Sequence, residues 1–231
     1  LPSKNIGWTM RSKSDHFKYY SDVCTNFSNL LGIDSWLIEP EFRNCGEINF
    51  KTKQGEDCLI HHAEKLLNII SDKYEKYNIN EKPYIIIKAD SGTYGMGVIS
   101  IDNIDQIKNL NRKQRNKMLS TKGNILLDKV ILQEGVYSFE ETKESCNVAE
   151  PVIYSFSNFL IGGFYRTHEN KANNENLNSP GMIFHPIPMK DICISPDLNL
   201  PIDSQINKYY VYGVVARLAI LAAAKELFNI D

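Results

Sequence analysis

Apolar positions repeat with two different periods along the chain, and the changes of period divide it. Phe17, Tyr20, Val23, Phe27, Leu30 and Leu31 recur at helical spacing between Ser14, a candidate cap, and Gly32, a candidate stop. Ile48, Phe50 and Thr52 alternate with polar residues as in a half-buried strand. Ala63, Leu66, Leu67, Ile70, Tyr74 and Tyr77 then mark a second amphipathic helix, and a polar turn at 78–83 closes the section. Residues 84–90 form a continuous β-rich run, 91–97 a glycine-rich loop and 98–101 a short strand, which together predict a hairpin. A charged stretch at 104–118 reads as helix and 130–134 as strand. Residues 140–145 are too polar for a core.

Two β-rich runs, 148–156 and 159–167, are separated only by Ser157 and Asn158 and predict an antiparallel hairpin. The Asn- and Pro-rich segment 168–201 reads as a long irregular loop. The apolar run 209–224 is shorter than the roughly 20 residues of a membrane span and carries Arg217, so a buried helix is expected there. Helices and strands in this order give an α+β fold, with segments 1–82, 83–135 and 136–231 as its expected units.

Composition narrows the class. With 42% hydrophobic and 23% charged residues the chain has the balance of a folded domain, and a formal net charge of −2 offers no general attraction for nucleic acid. The basic cluster Arg112, Lys113, Arg115 and Lys117 therefore reads as a solvated helix face. Cys24, Cys45, Cys58, Cys146 and Cys193 are scattered without a CxxC pair, as expected for a reducing cytoplasm. The chain opens on Leu1 without a basic-then-apolar leader, so a piece of a longer protein is expected. His61 and His62 are adjacent and would diverge on a helix, which makes them a poor metal pair.

The richest chemistry lies in Lys88-Ala-Asp-Ser-Gly92-Thr93-Tyr-Gly95-Met-Gly97. A Walker loop carries its lysine after the last glycine and at a helix start, whereas Lys88 precedes the first glycine and a strand follows. The pattern fits a hairpin whose bare N–H groups close over a polyphosphate that Lys88 helps to neutralise, the alternative being an ordinary glycine turn. Strand alternation puts Lys88 and Asp90 on one face.

These residues, with WTMRSKSDHF, GIDSWLIEP, CGEINF, KADSGTYGMGV, LNRKQRNKM, LQEGVYSFE, VAEPVIY, GGFYR, ENLNSPG and YVYGVVARLA in order, resemble the proteobacterial-type glutamate–cysteine ligases of the ATP-grasp superfamily. The resemblance implies an ATP-grasp fold with a small glycine-loop lid and a larger mixed or antiparallel sheet, the chain being the C-terminal part of a longer ligase. It also implies the substrates glutamate, cysteine and ATP, with Mg²⁺, reacting through an acyl phosphate. No membrane partner is expected, and a homo-oligomer is compatible with the reading.

Site residues follow from the resemblance together with the spacing of the residues themselves, the metal ligands from spacing alone. Lys88, Gly92, Thr93, Gly95 and Gly97 would hold the phosphates, and Gln133 and Glu134 would meet the adenine and ribose edges, although Glu134 also suits a solvated strand end. Arg166, beside two glycines, is the candidate for the transferred phosphate, against the alternative of a surface salt bridge. Asn176 and Asn178 are similar to an asparagine-bearing phosphate and substrate loop, though such loops also form for turn reasons. Glu47 and Asn49, two apart on the predicted strand and helped by Glu150, are the expected Mg²⁺ ligands; strand carboxylates of this kind also commonly face solvent. Arg11 and Lys13 are candidates for a substrate α-carboxylate, or for merely flanking the first helix.

Overall fold

The computed structural model describes residues 11–91, 98–119, 129–142, 148–187, 199, 201, 204 and 208–228. Helix α1 (Lys13–Leu31) starts where the Ser12 hydroxyl accepts from the Asp15 amide at 3.1 Å and stops at Gly32. Ser12, and not Ser14, is the cap. Ser14 instead lies in the first turn, where its amide and hydroxyl both donate to the Asp90 carboxylate at 2.7 Å.

A 3-10 turn at Ser35–Leu37 leads into strand β1 (Phe42–Glu47), followed by helix α2 (Glu56–Lys76), strands β2 (Ile85–Ala89) and β3 (Val98–Ile101), helices α3 (Asp105–Lys108) and α4 (Arg112–Leu119), and strand β4 (Lys129–Glu134). These strands make an antiparallel sheet in the order β1-β4-β2-β3, so it takes β1 from before residue 82 and the rest from after it. Alternation sends Ile85, Ile87, Val130 and Leu132 to one face, where Leu59, Leu66 and Ile70 of α2 cover them in the main core. Each such side chain contributes about 1.5–3 kcal/mol through burial.

The second sheet, in the order β5-β6-β7-β8, comprises β5 (Glu140–Glu141), β6 (Val148–Phe156), β7 (Phe159–Thr167) and β8 (Ile183–Pro186). One face carries Ala149, Tyr165 and Ile187 against Tyr209 of helix α5 (Lys208–Phe228). Helix α5 also packs on α1 through Leu218 and Ala222 against Tyr20, Val23 and Cys24. Glu226 fastens the two helices by accepting from Arg11 at 2.8 and 2.5 Å, with His16 Nδ1 at 3.2 Å.

The α+β class and the β6–β7 hairpin agree with the sequence reading; besides the cap at Ser14, four local expectations do not. The strand predicted at 48–52 lies earlier, because the Asn49 carboxamide accepts from the Lys51 and Thr52 amides at 3.0 and 3.1 Å and closes a turn; Ile48 and Phe50 are buried without being strand. The charged helix splits in two, since Asn111 and Gln114 exchange side-chain-to-amide bonds at 2.9 Å and form a new N-terminal cap. The irregular segment after His168 contains β8. Helix α5 is only half covered, with Val211, Leu221 and Phe228 exposed. No helix among the described residues is long and apolar enough to cross a membrane.

Candidate active site

The face of the first sheet that α2 leaves bare meets the second sheet across a cavity of about 360 Å³. Its position follows from strand alternation. Ile86 and Lys88 on β2 point away from the core, and β4 lies antiparallel beside them with Ile86 opposite Gln133 and Lys88 opposite Ile131. The Lys88 ammonium donates to the Gln133 carboxamide oxygen at 2.6 Å. From the other sheet come Glu150 and Arg166, directly opposite each other on β6 and β7. Lys13 enters from α1, and the segment Asn174–Asn178 forms the remaining wall.

Charge and burial are unusual here. Burial pushes the Lys88 ammonium down to about 8, the Lys13 charge pushes the same way, and Glu150 opposes both. Burial likewise lowers Lys13, with Asp90 opposing, although the Lys13 ammonium donates to the Ala89 carbonyl at 2.8 Å. Arg166 Nη1 donates to Glu150 Oε2 at 3.2 Å, while its buried Nε has no hydrogen-bond partner among the described residues. Among the described residues three cations line the cavity beside Glu150 and Glu175, and Glu175 is already held by Lys171 and the Ala172 amide at 2.8 and 2.9 Å. Such a site accommodates an anion, because an anion supplies the countercharge that burial has removed from water.

Apolar lining complements this charge: Tyr84, Ile86, Val98, Val136 and Leu177. The Tyr84 hydroxyl donates to the Val136 carbonyl at 2.9 Å, laying its ring over Gly135, where a Cβ would sit 2.1 Å from the ring. Only glycine allows that approach. A cavity lined by both apolar and cationic side chains suits a ligand that carries both kinds of surface, and its volume lies within the usual range for ligand sites.

Of the residues singled out in the sequence, the cavity brings together Lys13, Lys88, Gln133, Glu150, Arg166, Asn176 and Asn178, while Arg11 is paired with Glu226. Gly92, Thr93, Gly95 and Gly97 lie outside the described residues. Glu134, next to Gln133 on β4, faces the opposite way. Its carboxylate accepts from the Trp36 indole at 3.1 and 2.9 Å and from the Glu41 amide at 2.9 Å, and burial raises its pKa. Glu47, opposite Lys129 at the end of β1, and Asn49, in its turn, do not join Glu150 at the cavity wall. Among the described residues no three His, Cys, Asp or Glu side chains cluster as a metal site. Asn176 accepts from the Asn178 amide at 3.0 Å, so its carboxamide oxygen also shapes the loop. Arg166 makes the ion pair named above as the alternative, and it lines the cavity as well.

Sequence reasoning missed Tyr84, Val136 and Leu177, which carry no chemical motif. The one available signal was the invasion of Gly135 by a neighbouring ring, and this becomes visible only once β2 and β4 are paired. Lys13 was read as a carboxylate partner; its distance in sequence from Lys88 hid their proximity.

Comparison with known proteins agrees with this architecture. A family model for glutamate-cysteine ligase matches residues 1–227. Among solved structures, a candidate γ-glutamylcysteine synthetase from Methylobacillus flagellatus KT is similar, with 47% identity and a TM-score of 0.84 over 97% of this chain and 53% of that one. The chain thus spans about half the length of that relative. No curated protein matches.

Proposed function

The chain belongs to the glutamate–cysteine ligase family, and we propose that it supplies the nucleotide site for ATP-dependent formation of γ-glutamylcysteine. The observation that carries the proposal is Lys88, a buried cation that lines one cavity together with Arg166 and with the apolar side chains of Ile86, Val136 and Leu177. On this reading the base lies between Ile86, Val136 and Leu177 with Gln133 at its edge. Lys88, Lys13 and Arg166 take the polyphosphate, together with Gly92, Thr93, Gly95 and Gly97 as the resemblance to ATP-grasp ligases implies.

A carboxylate oxygen of glutamate forms a bond to the terminal phosphorus of ATP as the bond to ADP breaks. The cysteine nitrogen then attacks the activated carbonyl carbon, loses a proton, and phosphate leaves. No enzyme nucleophile is needed, so the work of the chain is to position groups and offset charge. Mg²⁺ is usually held by one or two carboxylates together with substrate phosphates. Glu150 is the wall carboxylate that fits this role, and the ion would supply charge neutralisation between phosphate oxygens.

The test is a product assay with Mg·ATP and amino acids. Release of ADP that requires both glutamate and cysteine, in step with γ-glutamylcysteine, is expected, with alanine, glycine and 2-aminobutyrate compared as acceptors. Nucleotide binding without turnover for every amino-acid pair would instead make the chain a nucleotide-binding module.

A further inference from the structure

We propose that His168 is a positioning residue that holds the asparagine-bearing wall of the cavity in its binding shape; the proposal deepens the ligase reading above and rests on it. His168 follows directly on β7 and is 7% exposed. Its Nδ1 accepts from the Asn170 amide at 3.2 Å, and its Nε2 lies 3.0 Å from the Pro180 carbonyl oxygen. A backbone amide only donates and a carbonyl only accepts, so the ring must be neutral with its proton on Nε2. One rigid side chain thereby ties the start of the loop to its end.

Between those two ties lie Asn174, Glu175, Asn176, Leu177 and Asn178, five consecutive residues that all line the cavity. The segment has no strand ladder of its own. Most of its internal bonds are local, such as Glu175 amide to Ala172 carbonyl at 3.1 Å and Ser179 amide to Leu177 carbonyl at 2.9 Å. It is also clipped to the neighbouring segment by the Ser138 amide on the Asn173 carbonyl at 2.9 Å, and Leu177 is buried. The second side of the imidazole contact is Gly181, whose φ is +97° and where a Cβ would sit 3.1 Å from Nε2. A side chain there is disfavoured by the backbone and crowds the ring. His168 is not among the lining residues, so it acts through the loop.

The experiment compares wild type with His168→Ala, His168→Asn, His168→Gln and Gly181→Ala in the full chain. It reads the dissociation constant for Mg·ADP and, without ligand, hydrogen exchange at the Asn170 amide. His168→Ala should weaken Mg·ADP by about tenfold or more, as expected when two hydrogen bonds that preorganise a wall are lost. The same variant should speed exchange at Asn170, and Gly181→Ala should shift both readouts the same way. The Asn variant, which keeps an acceptor near Nδ1, and the Gln variant, which keeps a donor near Nε2, should each restore part of the loss.

Nitrogen NMR of the wild-type ring should show the Nε2–H tautomer, a signature that stands whatever the variants do to folding. An Nδ1–H tautomer would overturn the proposal, as would a folded His168→Ala that binds Mg·ADP within about twofold of wild type. A wild type without Mg·ADP affinity would remove the ligase reading, while exchange at Asn170 would still decide whether the ring holds the loop.

Discussion

The two sheets differ in how they are closed. The first is roofed on one face by α2, and Leu59, Leu66, Ile70, Ile85, Ile87 and Leu132 are wholly withdrawn from solvent. Among the described residues the second has Ala149, Tyr165 and Ile187 as its buried core, while Phe156 and Ile161 stay 75% and 64% exposed and Phe159 and Phe184 are exposed as well. The cavity lies between them, with Lys88 on the packed sheet and Arg166 on the sparsely packed one. A buried ammonium needs a rigid frame, because its lowered pKa depends on the surrounding wall staying dry. Arg166 keeps its charge in any surroundings and tolerates a looser support.

That contrast can be broken at three places. The largest expected effect is on stability: Leu66→Ala should cost about 2–5 kcal/mol in denaturant unfolding, since it empties the centre of the first core. A loss below about 1 kcal/mol would mean that the first sheet does not carry the fold. Next, Arg166→Ala should lower kcat/KM by at least about tenfold with little change in the unfolding midpoint, and a loss within about threefold would leave Arg166 as an ion-pair partner of Glu150 alone. The smallest effect belongs to the exposed face. Phe156→Ser should change stability by less than about 0.5 kcal/mol, and a larger loss would show that this aromatic supports the second sheet.

How much of this was legible in sequence depended on whether the deciding force was local. The β6–β7 hairpin was, because two long β-rich runs leave only Ser157 and Asn158 to turn, and Ser157 adopts a φ of 53°. The outward placing of Lys88 was legible because strand alternation puts it on the face opposite Ile85 and Ile87. The strand at 48–52 was misread because Ile48 and Phe50 are buried in a turn that mimics strand alternation. The break between α3 and α4 rests on one reciprocal cap at Asn111 and Gln114, which the charge pattern conceals. Helix α5 is apolar on nearly every side, and which side is covered depends on α1 and β6, so its pattern gave no answer. Gln133 and Glu134 are the opposite case. Neighbours on a strand point to opposite faces, so strand alternation alone separates the two side chains and leaves only Gln133 in contact with Lys88.

The central claim is that the Lys88 ammonium holds a polyphosphate, and titration calorimetry of Mg·ADP against pH tests it most directly. In the free chain Lys88 is depressed from 10.5 to about 8, so the unfolded chain binds this proton more tightly than the folded one. The cost of burying the charge is complete below about 8 and is relieved as pH rises toward 10.5, above which this group no longer costs stability. Ligand binding runs the other way, because the anion needs the proton in place. The account predicts a dissociation constant that is flat below about pH 8 and rises above it by up to about tenfold per unit, with proton uptake on binding. Lys88→Ala should weaken binding by about a hundredfold and abolish the alkaline limb. Equal affinity for wild type and Lys88→Ala at neutral pH, with no alkaline limb in either, would contradict it.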